Sequence, residues 1–459
     1  MATEQALTLE SLNIIGPEYY AKNGYPHREW TFLRKHKPVF WCEYPKTDPF
    51  WAITKHADIV QISKQPRLFL NGPRLLVFVN ESGMEESPTP PFRHLLDMDP
   101  PDHGEYRAVV SRHFTPRAVR PLQPEIANIT RGVLDDLNGR GECDFVTDVS
   151  SKIPLAVIAE LLGVPHQDWE QLFRWTNETI GSGDPEFQQG TTAQETLDRS
   201  RLGLFQYFTD MVVERMKHPT KDITSIVANG KVNGQPIPQF EMLSYYFLLV
   251  VAGNETTRNA TTGGLLAFIE NPGDWDKLKK NPGLIDSAVE EIVRYTTPVI
   301  QFARTATQDT EIRGQKIKAG ESVCLFYPSA NRDEEVFENP FKFDISRDPN
   351  PHIAFGIGEH FCLGANLARL ELNEIFRGVL TRVHDIELAA PARRLRSTFI
   401  NGVKEMRIRF TPGPIEAYPS NTVNHPGDAG GSRKHESTKT RNRQPLDSLF
   451  SSFRPLVVS

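Results

Sequence analysis

One cysteine in this chain lies between glycines and runs straight into a helical stretch: Phe355-Gly356-Ile357-Gly358-Glu359-His360-Phe361-Cys362-Leu363-Gly364, followed by Ala365 to Leu372. A helix N-terminus and the backbone N–H groups near it favour a thiolate over a thiol. A thiolate is a strong ligand for iron. Glycines let such a loop pass close under a flat macrocycle, and Phe355 is placed to shield the sulfur from water. A lone Cys-x-Gly reads more simply as a buried, inert cysteine on a turn, but the full pattern weighs against that reading.

Further constellations lie elsewhere. In Ala252-Gly253-Asn254-Glu255-Thr256-Thr257, Gly253 tolerates a local widening of a helix, so that the Thr256 hydroxyl can leave its bond to a preceding carbonyl and face a ligand. Glu255 beside it suits a general acid that relays protons. The plainer reading is a polar stripe on a surface helix. Yet Tyr245 to Ala252 is apolar all round, which points to burial, where an unpaired Glu255 is costly. Glu291 and Arg294 stand one helical turn apart, by themselves an ordinary i,i+3 ion pair. After Met98-Asp99-Pro100-Pro101, Asp102 can cap a helix on which His103 and Arg107 share a face able to grip a carboxylate; a solvated basic face is the alternative.

The cysteine segment resembles the cytochrome P450 signature Phe-Gly-x-Gly-x-His-x-Cys-x-Gly at every fixed position, and the other motifs follow in that family's order. The resemblance implies a haem-thiolate monooxygenase carrying heme b (iron protoporphyrin IX), with Cys362 as the metal ligand and Phe355 and Gly364 in the cofactor loop. It makes Glu255 and Thr256 the catalytic pair that handles O2 and protons. It assigns His103, Arg107, Arg304 and His360 to the haem propionates. It joins Arg347 to Glu291 and Arg294 in a buried network that holds the cysteine loop, a structural role.

The segments Trp51 to Asp58, Tyr327 to Glu335 and Gly364 to Arg369 look bacterial and are similar to terpene alcohol hydroxylases. Ala252 to Ala260 and Asn350-Pro351-His352 are similar to actinobacterial sterol side-chain and methyl-branched lipid hydroxylases. By position in the family, Leu76, Leu248, Ala252, Val299, Ile300 and Phe399 are expected in an apolar pocket for a terpenoid, steroid or lipid-like substrate, with core packing an equally open reading for each. No fused flavin or iron–sulfur segment is visible, so the resemblance implies electrons from a separate ferredoxin and its reductase, with NAD(P)H as the ultimate donor. An acidic ferredoxin would dock near Arg112 and Arg369.

These residues need a scaffold, and the periodicity predicts one that is mainly α with small β-sheets. A helix is expected from about Pro238 to Glu270, roughly 50 Å long and able to cross the molecule; the resemblance implies the cytochrome P450 fold, with this helix over the haem and the cysteine loop beneath it. Other helices are predicted at Glu125 to Leu137, Thr192 to Lys217 and Asp286 to Tyr295. Strands are predicted at Pro38 to Phe40, at Phe50 to Thr54, within Glu311 to Leu325 with breaks at Arg313-Gly314 and Ala319-Gly320, and within Phe399 to Phe410 around a hairpin at Asn401-Gly402. From Pro412 onward Pro, Gly, Ser, Asn, His and Arg displace the apolar pattern, so residues 1–413 read as the domain and 414–459 as a disordered tail with an apolar end, Phe450 to Val458.

The chain has 459 residues and a formal net charge of -6, which gives no basic field for nucleic acid as the main partner. Its four cysteines form no Cys-x-x-Cys pair, so neither a zinc site nor a disulfide scaffold is indicated and a reducing compartment fits. The acidic residues Glu4, Glu10 and Glu18 interrupt the N-terminal region, and Met242 to Ala252 is too short to span a bilayer, so a cytoplasmic, monomeric protein without a membrane span is expected. Two other readings stay open. A haem-thiolate enzyme using peroxide-driven or coupling chemistry would not need the Glu255-Thr256 pair, and a non-catalytic haem ligand-binding protein would show no substrate-dependent consumption of NAD(P)H.

Overall fold

Helices make up most of the chain in the computed structural model, which describes residues 7–77, 93–182, 184–189 and 192–414. Those that frame the site are α1 (Asp102–Ser111), α2 (Gln123–Asp135), α3 (Lys152–Leu162), α4 (Trp169–Ile180), α5 (Ala193–Lys217), α6 (Gln239–Glu270), α7 (Ile285–Thr296) and α8 (Ala365–Arg382). The predicted helices agree with α2, α5, α6 and α7 to within a few residues. Thr192 caps α5 by accepting the Glu195 N–H at 3.1 Å, which satisfies one of the unpaired donors at a helix start. Most of the tail lies outside the described residues.

The apolar run Met242 to Val250 is buried within α6, a helix of 32 residues and about 48 Å in length. Because this run has no polar face, it must be surrounded, and α3, α4, α5, α7 and α8 all pack against α6. No helix among the described residues is long and apolar enough to cross a membrane.

Two sheets of more than two strands flank the helices among the described residues. The larger contains β1 (Val39–Cys42), β2 (Phe50–Ile53), β3 (Phe69–Leu70), β5 (Gln301–Ala306) and β6 (Ser322–Phe326), in the order β1-β2-β6-β5-β3. The β6–β2 pair is parallel and the rest are antiparallel. The smaller has the order β7-β8-β4, from Val383–Leu388, Arg407–Pro412 and Glu142–Asp144 respectively.

Three local expectations are corrected. Asn401-Gly402 forms no hairpin; the pairing runs between Arg393–Arg394 and Val403–Glu405, around a wider loop. Asn401 N–H donates to Pro298 O at 2.8 Å, and a Cβ on Gly402 would stand 2.5 Å from the Asn259 side chain. The glycine therefore permits a close approach to α6 rather than a tight turn. Asp102 is not a cap: Pro101 holds that position, and Asp102 sits in the first turn paired with Arg93. At Gly253, α6 stays a continuous α-helix; a Cβ there would lie 3.1 Å from Ile158 Cδ1 on α3, so this glycine serves helix packing.

Candidate functional site

The cysteine loop is folded by its own backbone. Cys362 N–H donates to Phe355 O at 2.8 Å, and Gly356 and Gly358 take φ values of 70° and 79°, which side-chain-bearing residues rarely adopt. A Cβ on Gly358 would also collide with the Ser63 carbonyl. Burial raises the Cys362 thiol pKa, while the Gly364 N–H bonded to the sulfur and the charges of Arg107 and Arg369 pull it down. Cys42 and Cys143, by contrast, are buried and pushed up to about 12 by desolvation. Among the described residues no group of three His, Cys, Asp or Glu side chains could hold a metal, so a metal here rests on the one thiolate.

Two charged clusters brace the loop from α7. Arg294 donates to both oxygens of Glu291, at 2.7 and 2.8 Å, and Arg347 Nε reaches Glu291 Oε2 at 3.1 Å. Glu291 and Arg294 are fully buried, but Arg294 also donates to the carbonyls of Asn331 and Pro340 at 2.8 Å. A buried pair survives only when its remaining donors are satisfied in this way. One residue earlier, Glu290 receives Arg369 at 2.6 and 2.9 Å and contacts His352 Nε2 at 3.1 Å. The Arg369 guanidinium lies over the Phe355 ring, 4.5 Å from its centroid.

Above the loop, cation-forming side chains from three segments converge. The rings of His103 and His360 lie 4.0 Å apart. Arg107 Nη2 donates to Phe361 O at 2.7 Å and Arg304 Nη1 to Ala303 O at 2.7 Å. Among the described residues no acidic side chain pairs with either arginine. His103 Nε2 and both ring nitrogens of His360 are buried without a hydrogen-bond partner. Burial, then Arg107, lowers His103 to about 4; burial, then His103, Arg304 and Arg107, lowers His360 to about 2. Orphaned donors among uncompensated arginines call for an anion. Haem, with two propionates and an iron for Cys362, fits this set.

On α6 the burial pattern breaks at the predicted motif. Ala252 is exposed and Thr256 half-buried although Met242 to Val250 and Thr257 to Thr262 are buried. Thr256 Oγ1 donates to Ala252 O at 2.8 Å, so the hydroxyl keeps its helical bond, contrary to the expectation that Gly253 would release it. Glu255 is 1% exposed and turned into the protein, where Arg258 Nη2 approaches it at 2.5 Å without an aligned hydrogen bond. Burial raises the Glu255 carboxyl and Arg258 lowers it, with burial the larger effect.

The expected pocket residues divide. Leu76, Val299 and Phe399 are half-buried and Leu248 is at the edge of burial. Ile300, just before β5, is instead fully buried beside Cys324 and Phe326 in the core under the larger sheet. Phe302, in the same expected segment 299–302, meets Phe399 with tilted rings 5.7 Å apart.

A curated relative, the steroid C26-monooxygenase of Mycolicibacterium smegmatis, is 39% identical over 394 residues, 84% of this chain and 91% of that protein. The chain belongs to the cytochrome P450 family. The cytochrome P450 family model matches residues 188–384. Linalool 8-monooxygenase of Pseudomonas putida is 35% identical over 88% of this chain and 100% of its own length. A solved Mycobacterium marinum cytochrome P450 in complex with pseudoionone superimposes with a TM-score of 0.81 at 33% identity, covering 88% of this chain and 100% of that one. This cytochrome P450 is therefore a haem-dependent monooxygenase, and its fold is that of the bacterial members.

Arg258 and Asn177 were not singled out as site residues from the sequence of this P450. Arg258 follows Glu255 at i,i+3, a signal that was available. Asn177, which accepts from Arg258 across a long separation, carries none.

Proposed function

We propose that this chain hydroxylates a hydrophobic, sparsely functionalised small molecule of terpenoid, steroid or lipid type, using O2 and electrons from a ferredoxin and its reductase, at a haem b held by Cys362. The observation that carries this reading is the opening on α6 at Ala252 and Thr256, between the buried runs 242–250 and 257–262. Leu248, Val299 and Phe399, expected by position to line the space over the haem, are apolar, as is Phe302 in contact with Phe399, which suits a ligand held by burial rather than ion pairing. Relatives named for steroid and linalool oxidation support the substrate class.

When bound, haem supplies reductive activation of O2 and oxidation of a C–H bond. The chain supplies the rest. Cys362 would hold the iron, with the Gly364 N–H on its sulfur. His103, Arg107, Arg304 and His360 would orient the group through its propionates. Thr256 presents its hydroxyl oxygen as an acceptor, since its proton is engaged by Ala252 O. Glu255, with its carboxyl raised by burial, can carry a proton toward Thr256 once its side chain turns from Arg258. Apolar walls exclude competing water.

Arg369 is engaged by Glu290, so it is a weaker docking charge for a ferredoxin than expected. The exposed Arg112, Arg117 and Arg120 near the start of α8 are better placed, and salt-sensitive reduction would support them. The deciding experiment titrates terpenoids, sterols and fatty acids against the haem spectrum, then reconstitutes turnover with ferredoxin, reductase and NAD(P)H. Product formed with peroxide but not with the electron donors would overturn this reading in favour of peroxide-driven chemistry.

A further inference from the structure

The chain from Phe69 to Val77 runs antiparallel along β5. Phe69 pairs with Ala306 and Leu70 with Thr305; past Gly72-Pro73, Ala303 N–H donates to Leu75 O at 2.7 Å. The next rung is not made by backbone. The Gln301 side-chain amide makes it instead, with Nε2 donating to Val77 O at 2.5 Å and Oε1 accepting Val77 N–H at 3.3 Å. Oε1 also accepts from Cys324 Sγ at 3.3 Å. Gln301 is fully buried, so its amide has no water to turn to, and losing Val77 would leave a buried polar group unpaired.

This rung determines which way the neighbouring side chains face. Leu75 O and both backbone groups of Val77 point at β5, so the stretch is strand-like and its side chains alternate. Val77 packs with Ile300, Cys324 and Phe326 in the core beneath the sheet. Leu76 then falls on the other face, opposite Phe302, whose ring meets Phe399. Among the described residues no hydrogen bond anchors Leu76 itself; the Ala303 bond holds it on one side and Gln301 on the other.

We infer that Gln301 is a positioning residue that holds Leu76 in the pocket wall and so sets the size of ligand admitted over the haem. The inference rests on the pocket described above as the substrate site. Without Gln301, residues 76–77 lose the side-chain tether to β5, and the wall at Leu76 can retreat.

The test uses the holoprotein with two independent variants. Gln301→Met removes both hydrogen bonds to Val77, and the one from Cys324, at nearly constant volume. Val77→Pro removes the backbone donor while leaving Gln301 in place, and stands if the first fails to fold. Amide exchange across residues 69–77 and Soret titrations with 4-phenylimidazole and a triphenylmethyl-imidazole are the readouts, because azoles bind haem iron from the pocket side whatever the natural substrate. Faster exchange confined to 75–77 is expected, with the bulky-to-small affinity ratio changed about tenfold. The double variant should change it no more than the larger single effect. Unchanged exchange, or loosened exchange with a ratio altered less than about twofold, would overturn the inference. If the azole ratio moves while no terpenoid, steroid or fatty acid perturbs the wild-type spectrum, the proposed substrate class falls and the role of Gln301 stands.

Discussion

Glu255 and Arg258 approach to 2.5 Å inside the protein, one turn apart on α6, and Arg258 Nη1 in turn donates to Asn177 Oδ1 on α4 at 2.9 Å. Beside them Asn254 Nδ2 donates to Thr176 Oγ1 at 3.0 Å. The acid suited to deliver protons is thus held by a cation, which is itself held by a neighbouring helix.

Arg258→Leu strands Glu255 without its counter-charge. Breaking a buried pair from one side costs about 3–5 kcal/mol, and a chemical denaturation series should register that loss, with Glu255→Gln in the same background recovering part of it. Because Arg258 lowers the Glu255 carboxyl, its removal also moves the alkaline limb of the pH–rate profile to higher pH. A profile that keeps its wild-type position would show that Glu255 does not titrate in turnover.

The Glu290 cluster makes a pH-dependent contribution to stability. Burial would raise this carboxyl, but hydrogen bonds and charge from Arg369 and His352 hold it at about 2, below its ordinary 4.5. A depressed carboxyl contributes stability that is present above the unfolded value and is lost as pH falls through the folded one. Glu290→Gln should therefore be less stable than wild type at pH 7 by roughly 1–2 kcal/mol, after discounting for partial exposure. That gap should close between about pH 4.5 and 2. A gap that stays constant with pH would assign the effect to packing.

Removing one propionate partner weakens haem retention without unfolding the chain. Arg107→Gln deletes a charge-assisted bond worth about 1.5–3 kcal/mol, so haem transfer to an apo-globin acceptor should speed up by about tenfold or more, with the far-ultraviolet circular dichroism unchanged. Equal transfer rates would place the propionates elsewhere.

At Glu291 the outcome is structural. Glu291→Ala leaves Arg294 buried without its carboxylate, at a cost of about 3–5 kcal/mol. The variant should accumulate poorly and bind little haem, whereas Arg347→Lys, on the partly exposed side, should retain most of both. Normal haem content in Glu291→Ala would remove this network from the account of the loop.

What could be read along the chain was whatever local spacing determines. The glycines around Cys362 meet backbone constraints within the loop itself, and the unbroken apolar run of α6 had to be buried, so loop, helix and family followed from order alone. The Glu255-Thr256 dipeptide was legible for the same reason. Contacts across long separations were decided only by packing. The Asn401-Gly402 pair suggested a hairpin until α6 came close enough to need a missing Cβ, and Gly253 suggested a widened helix until Ile158 filled the space beside it. Ile300 and Val299 are neighbours in sequence just before β5, yet packing sends one to the core beneath the sheet and leaves the other half-buried. Gln301 meets Val77 across a separation that no periodicity encodes, because a side-chain amide bonds whatever backbone the fold brings beside it.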